Sequence, residues 1–328
     1  MLDKSKPMTL GDIFNNAFVL IKDTFVRNII IAVLFLIPAG ILMAYGMKSY
    51  FNVVFNMAEI VKLKGAENIN QVQIGNIFLS LIFFFFSLVI FSLAYLGAWI
   101  GIIKGGCSSI EGTKINLSDA LIEIFSKTLL RCVGQILLIA LAGIIFVIII
   151  IAVLMAGQNA LLTLFTVLFI FAGIGFALFL WVRWYFAPLN IVYMHDGVSN
   201  SFIRSWNLVK DYWWRTFGIM LLISIIVGFA STIISTPITF IFEWDFIVQY
   251  FKLIMGGNSG ANDPVVMLGL MRSLGFTYGL IIAFSSTIHM LVFPLFQIVI
   301  YFDLKIRKNE FSLEMKPENE PLFEDPVI

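Results

Sequence analysis

Residues 198–218, VSNSFIRSWNLVKDYWWRTFG, decide how the rest of the chain is interpreted. Taken as one helix, this stretch separates large apolar side chains from polar and basic ones. The apolar face carries Phe202, Trp206, Val209 and Trp213, and the polar face carries Asn200, Arg204, Asn207, Asp211 and Arg215. Basic side chains opposite aromatic rings are typical of a helix that lies in the membrane interface. An apolar segment follows directly, so we expect an interfacial helix and not an amphipathic helix on a soluble core.

The composition is that of a protein that crosses a membrane several times. Of the 328 residues, 60% are hydrophobic and only 12% are charged, whereas about a quarter of residues are charged in soluble domains. About 20 apolar residues are needed to cross the hydrocarbon core as a helix. Runs of that length predict six spans, at about 28–47, 74–103, 132–156, 160–188, 216–240 and 276–302.

The connections between these spans contain further predicted elements. Interfacial helices are expected at 11–26 and from Asn116 onward, the latter with Ser118 as its N-cap. Short helices are expected at 50–63 and within 241–275, and a turn at 157–159. The small residues of 105–109, GGCSS, are expected to end the second span.

The distribution of basic residues predicts the orientation of the spans. The loops after the first, third and fifth spans contain only five of the 21 Lys and Arg residues: Lys48, Lys62, Lys64, Lys252 and Arg272. Because cytoplasmic loops are enriched in Lys and Arg, both termini are expected in the cytoplasm. Cys107 and Cys132 lie beside these basic loops, so no disulfide is expected between them.

The sequence contains an internal repeat. Aligning Gly11 with Ser199 matches several residues in one register: Phe14 with Phe202, Lys22 with Lys210, Asp23 with Asp211 and Arg27 with Arg215. We predict an all-α membrane domain over 1–308 that is built as three parallel repeats, at about 9–106, 116–188 and 197–308. Each repeat combines an interfacial helix with a hairpin of two spans. Residues 309–328, an acidic tail with prolines, are expected to be disordered.

Two groups of residues are candidates for function. His289, Ser286 and Gln297 in the sixth span could form an intramembrane polar site, or His289 could simply hydrogen-bond a neighbouring helix as a neutral imidazole. Arg183 could clamp a lipid phosphate at the cytoplasmic face, or only anchor its helix at the interface. The residues expected to contact headgroups are Arg183, Trp184, Arg204, Trp213 and Arg215. Asp303, at the end of the sixth span, is expected to pair with a cation from a loop.

Catalytic and metal-binding patterns are not evident in the sequence. A metal site needs clustered His, Cys or carboxylate ligands, and the two histidines, His195 and His289, are far apart along the chain. No cofactor, metal or nucleic acid is therefore expected.

Two stretches resemble a known family. Residues 183–218, from RWYFAPLNIVYMHDG to DYWWRTFG, and residues 301–314, YFDLKIRKNEFSLE, resemble the membrane domain of the glycerophosphoryl diester phosphodiesterase membrane-domain family. The resemblance implies a multi-helix domain of the bacterial inner membrane without a defined biochemical role. The catalytic part of such phosphodiesterases is a soluble barrel with paired histidines and metal-binding carboxylates, and this sequence has no segment that could form one.

We therefore expect a non-catalytic scaffold or accessory subunit of a membrane protein assembly. Its expected partners are an unidentified membrane protein and anionic lipid headgroups at the cytoplasmic face. The alternative is a lipid-handling or small-molecule transport protein with a polar or headgroup-binding cavity. A third reading, an intramembrane enzyme centred on His289, would require acidic or nucleophilic side chains near that ring.

Overall fold

The computed structural model of the chain describes residues 6–64, 71–113, 116–155, 160–255 and 264–308. These residues form nine α-helices and contain no β-strand. The helices are α1 (Leu10–Lys64), α2 (Gln71–Glu111), α3 (Leu117–Ile124), α4 (Lys127–Met155), α5 (Ala160–Trp184), α6 (Ala187–Tyr193), α7 (Val198–Val209), α8 (Trp213–Met255) and α9 (Pro264–Arg307). Six helices are long and apolar enough to cross a membrane. The prediction of an all-α protein with six spans is confirmed, and the chain is a multi-pass membrane protein.

The long helices continue where the sequence predicted boundaries. Helix α1 includes the predicted interfacial helix 11–26, the first span 28–47 and the short helix 50–63 in one element. Pro38 lies inside α1 without ending it, because apolar surroundings tolerate proline in transmembrane helices better than water does. Helix α9 likewise joins the end of the predicted connection 241–275 to the sixth span. These predicted boundaries were wrong. The sequence becomes more polar at these positions, but the helical hydrogen bonding continues through them.

The small residues of 105–109 do not break α2. The hydroxyls of Ser108 and Ser109 donate to the carbonyls of Lys104 and Gly105, at 2.9 Å each, within the continuing helix. A Cβ on Gly106 would lie 2.5 Å from Cδ1 of Ile298, so this glycine permits close packing of helices. Helix α2 ends at Glu111 instead, and Gly112 follows with a φ of 83°, which suits glycine just after a helix end.

Two more predicted boundaries differ from the structure. Helix α3 is preceded by Asn116 as its N-cap and not by Ser118. Asp119 accepts a hydrogen bond from the Asn116 backbone N–H at 3.4 Å, which satisfies a donor that the helix itself cannot. The predicted helix 198–218 is divided, because α7 ends at Val209 and α8 begins at Trp213.

The contacts divide the chain into two compact units. The first unit comprises the described residues of Met1–Thr24, Ile103–Ile223 and Pro294–Ile328, and the second comprises Phe25–Ile102 and Ser224–Phe293. In the second unit, a Cβ on Gly46 would lie 2.0 Å from Oγ of Ser87, and one on Gly279 would lie 2.4 Å from Cα of Ala44. Glycine at these two positions lets α1 pack closely on α2 and α9.

The core of the first unit is formed by the last three turns of α9 together with α6 and α7. Residues 295–306 of α9 are almost all buried, including the charged Asp303 and Lys305. The ammonium of Lys305 lies 5.5 Å from the ring centre of Tyr193 and 5.6 Å from that of Tyr301. Aromatic rings therefore surround the charged end of this helix.

Several predictions fall outside the described residues. They are the tail 309–328, the turn at 157–159, and residues 256–263 of the connection in which short helices are expected. The three repeats at about 9–106, 116–188 and 197–308 stay a prediction.

Candidate functional site

The chain turns sharply between α5 and α6, and a buried serine stabilises this corner. Pro188 lies in the first turn of α6, where a missing N–H costs nothing. The Ser205 hydroxyl donates to the Arg183 carbonyl at 2.7 Å and accepts the Phe186 N–H at 3.2 Å. The predicted fourth span, which extended to Pro188 as one helix, therefore ends at Trp184.

Gln297 belongs to the same corner. Its side-chain Nε2 donates to the Tyr185 carbonyl at 2.7 Å, and this carbonyl lies where α5 and α6 separate. Gln297 therefore has a defined structural contact in the first unit. An intramembrane polar site of Gln297 with His289 and Ser286 stays a prediction.

The most deeply buried face of α7 carries serines and aliphatic residues, whereas its aromatic residues are only half-buried. Its buried residues are Ser201, Ser205, Leu208 and Val209. The Asn190 side chain donates from Nδ2 to the Ser201 carbonyl at 3.3 Å, and its Oδ1 accepts from the Tyr301 hydroxyl at 2.9 Å. Small side chains let α7 approach α6 closely. The spacing of Ser201, Ser205 and Leu208 places them on one face of a helix, so the sequence could have indicated this buried face. The prediction was based on the larger aromatic residues.

Arg183 is held by aromatic rings. Its guanidinium carbon lies 4.6 Å from the ring centre of Trp206 and 5.2 Å from that of Phe179. Its Nη1 donates to the Trp206 carbonyl at 3.2 Å. Trp184 packs edge-on against Phe202, with ring centres 5.0 Å apart. The cation is thus fixed in position beside the end of α7.

Arg204 lies on the exposed side of α7. Its Nη1 is 3.5 Å from Oδ2 of Asp196, and 42% of its side chain is exposed. This exposed ion pair contributes little to stability. Among the arginines expected to contact headgroups, Arg204 is therefore the one whose contacts lie at the protein surface.

Arg215 takes part in a buried ionic network around Asp303. Asp303 is fully buried and accepts hydrogen bonds from Met8 N at 2.8 Å, Arg215 Nη2 at 3.1 Å and Arg307 Nε at 3.0 Å. Both arginines also donate to the Met8 carbonyl, at 2.9 and 2.7 Å. The network joins the segment before α1, the first turn of α8 and the end of α9. Asp303 does pair with cations, as expected, but Arg215 and Arg307 both lie in helices.

The interruption at 210–212 forms a cleft at the corner between α7 and α8, which we call the α7–α8 cleft. The Tyr212 N–H donates to the Val209 carbonyl at 3.0 Å, and the Thr216 N–H donates to the Tyr212 carbonyl at 2.9 Å. The cleft has a volume of about 460 Å³ and is lined by Gly175, Phe179, Lys210, Asp211, Tyr212, Trp213, Trp214 and Arg215. Two of the predicted headgroup residues, Trp213 and Arg215, are thus brought together in its wall.

Asp211 is the only carboxylate in the lining of this cleft, and it is paired. Its Oδ2 lies 3.0 Å from Nζ of Lys308. The hydrogen bond and charge of Lys308, with smaller contributions from Lys210 and Arg183, hold the pKa of the Asp211 carboxyl below its usual range. Asp211 is therefore ionised at neutral pH, and basic side chains surround it.

His289 makes a local contact in the second unit. Its Nδ1 lies 2.8 Å from the carbonyl of Ser285, one turn earlier in α9. The contact is within its own helix, whereas the simpler interpretation expected a bond to a neighbouring helix. Ser286, beside Ser285, is half-buried. Within the described part of the chain, no group of three His, Cys, Asp or Glu residues lies close enough to hold a metal ion.

The fold and these contacts define an all-α, multi-pass membrane protein with a cation-rich corner next to a buried ionic network. The chain belongs to the family of the domain of unknown function DUF7847, which matches residues 87–301. Neither a curated protein nor a solved structure was found to match the chain.

Proposed function

We propose that the chain is a non-catalytic scaffold or accessory subunit of a protein assembly in the bacterial inner membrane. The resemblance to the phosphodiesterase membrane-domain family is part of this proposal. The observation that carries it is the exposure of the hairpin formed by α4 and α5. We propose that this hairpin contacts a transmembrane helix of a different membrane protein.

The hairpin is packed far less than the first span. Only 6% of the apolar window in α4 and 11% of that in the next span are buried, as is 11% of that in α2, compared with 28% in α8, 33% in α9 and 44% in α1. The exposed large apolar side chains of α4 are Leu130, Ile136, Leu137, Leu138, Ile139, Leu141, Ile144, Ile145, Val147, Ile148, Ile149 and Ile151. This surface is available to lipid or to another helix.

The two helices of the hairpin pack on each other through one aromatic pair. The rings of Phe146 and Phe169 stack with centres 5.6 Å apart, and Gly173 leaves room for the Phe146 ring. Gly143, in contrast, faces open space, because an added Cβ would meet nothing within 4 Å. Transmembrane helices associate where small residues allow their backbones to approach. Gly143 on the exposed surface therefore supports contact with a partner helix at this position.

The proposed orientation has both termini in the cytoplasm. Among the described residues, 12 Lys and Arg lie in the first unit and six lie in the second. The six are Arg27, Lys48, Lys62, Lys64, Lys252 and Arg272. This asymmetry supports a cytoplasmic location of those parts of the first unit that lie outside its membrane-spanning segments. Its cations would then meet anionic headgroups of the inner leaflet.

The test is purification of the full chain from its native membrane in mild detergent, followed by quantitative mass spectrometry. Gly143→Leu fills the open position without a clash inside the chain. Gly228→Leu in α8 is the matched control, since a Cβ there also meets nothing within 4 Å. We expect one membrane protein in stoichiometric amount with the wild type and Gly228→Leu, and at least about a tenfold loss with Gly143→Leu. A lone chain, an unchanged ratio, or a second copy of this chain as the partner would contradict the proposal.

A further inference from the structure

We infer that the α7–α8 cleft binds the phosphate group of an anionic phospholipid, with the headgroup among its cations and the apolar part against its aromatic wall. This site does not depend on the protein partner proposed above. It gives the lipid-binding alternative a defined location in the first unit.

The size and lining of the cleft suit an amphipathic ligand. Its volume of about 460 Å³ lies within the range of roughly 300–1,000 Å³ typical of small-molecule sites. Phe179, Trp213 and Trp214 supply apolar surface, and Lys210 and Arg215 supply positive charge. A water-soluble anion would use only the second group of residues. A phospholipid would use both.

The aromatic wall is rigid. The Trp213 ring stacks on Phe217, with centres 5.3 Å apart, and on Phe179, with centres 5.9 Å apart. Its Nε1 donates to the Phe179 carbonyl at 3.3 Å. Trp214, beside it, is 78% exposed. Exposed tryptophans at the end of a span are typical of the level of the headgroups, which places the opening of the cleft where a phospholipid would enter it.

The charges at the cleft are arranged for an anion. Lys210 is exposed and makes no hydrogen bond or ion pair within the described part of the chain, so its ammonium is available to a ligand. Arg215 hydrogen-bonds Met8 and Asp303 through Nη2, and 30% of its side chain is exposed. The repulsion expected from Asp211 is offset by Lys308 at 3.0 Å. The backbone N–H groups in the first turn of α8, which have no acceptor within that helix, add to the positive potential.

The test measures lipid binding to the full-length protein in detergent by native mass spectrometry, with phosphatidylglycerol, phosphatidylcholine and inorganic phosphate as separate probes. Lys210→Gln removes the available ammonium. Lys127→Gln is the matched control, because Lys127 is also exposed, lies in the first unit and is outside the cleft lining. Trp214→Ala removes exposed aromatic surface and keeps the charge.

We expect Lys210→Gln to weaken phosphatidylglycerol binding about tenfold to a hundredfold, as for the loss of one charge-assisted hydrogen bond. Lys127→Gln should leave binding unchanged, and Trp214→Ala should weaken it about threefold to tenfold. Phosphatidylcholine should bind more weakly than phosphatidylglycerol. Equal losses in both lysine variants, or no loss with Lys210→Gln, would overturn the site. Binding of inorganic phosphate as tight as that of the lipid would overturn the lipid as its ligand.

Discussion

The substitution Asp303→Asn tests the ionic network that joins three segments of the first unit. Asp303 is fully buried and is contacted by Met8 N, Arg215 Nη2 and Arg307 Nε at 2.8–3.1 Å. Asparagine has nearly the same volume and can still accept the Met8 N–H. It cannot neutralise the two guanidinium groups, and its amide hydrogens would face other donors.

The expected cost follows from the burial of the carboxylate. Removal of one partner from a buried ion pair costs about 3–5 kcal/mol. The arginine side chains retain some access to water, with 30% and 19% exposed, so we expect the lower end, about 3 kcal/mol. This is about a hundredfold change in the folding equilibrium.

The assay measures thermal unfolding of the purified protein in one detergent, and tryptophan fluorescence reports the transition. Asp211→Asn is the control, because the Asp211 carboxylate is exposed at the surface and its removal should lower the melting temperature much less than the loss of the buried Asp303 does. Adding Arg215→Met to Asp303→Asn should cost less than the two single losses combined, since the partners share one network. A loss below about 1 kcal/mol for Asp303→Asn, within the usual range of surface substitutions, or strictly additive losses, would refute the reasoning.

Three further predictions concern other parts of the chain. Gln135 is 1% exposed and its amide has no hydrogen-bond partner among the described residues, so Gln135→Leu should raise stability by about 1–2 kcal/mol; a lower melting temperature would contradict this. Because Lys308 lowers the pKa of Asp211 below its ordinary value of 3.8, their pair should stabilise the fold above pH 3.8 and lose this contribution as the pH falls below it. The melting-temperature difference between wild type and Asp211→Asn should therefore disappear in acid and not at alkaline pH. Ser199→Cys should react with an impermeant maleimide only after the inner membrane is opened, whereas Lys252→Cys should react in intact spheroplasts; the reverse pattern would exclude cytoplasmic termini.

The number of spans could be predicted from the sequence, but their ends could not. The six apolar runs were long enough to identify, because crossing the hydrocarbon core sets a minimum length. Helix ends were predicted where glycines or polar residues appear, as in 105–109. These residues remain helical in the structure. In a membrane protein they are used for packing as well as for helix ends.

The candidate residues around the α7–α8 cleft were partly predictable. The density of aromatic and basic residues in 198–218 identified the region, and it selected Trp213 and Arg215. The helical spacing of apolar residues continues across the break at 210–212. A single helix therefore fits the sequence as well as the two helices α7 and α8 do. The contact of Asp303 with Met8 joins residues 295 positions apart. Amphipathic patterns report the face of a helix, and they do not identify the partner of a buried charge.

The central claim, that the exposed α4–α5 hairpin contacts another membrane protein, is tested most directly by crosslinking in living cells. Ile144, 56% exposed on α4, would be replaced by a photoreactive phenylalanine analogue, with Ile233 on α8, 70% exposed, as the matched control position. The account predicts one protein adduct of fixed mass at Ile144, absent at Ile233 and reduced by Gly143→Leu. Crosslinks from Ile144 to lipid alone, or equal protein adducts from both positions, would contradict it.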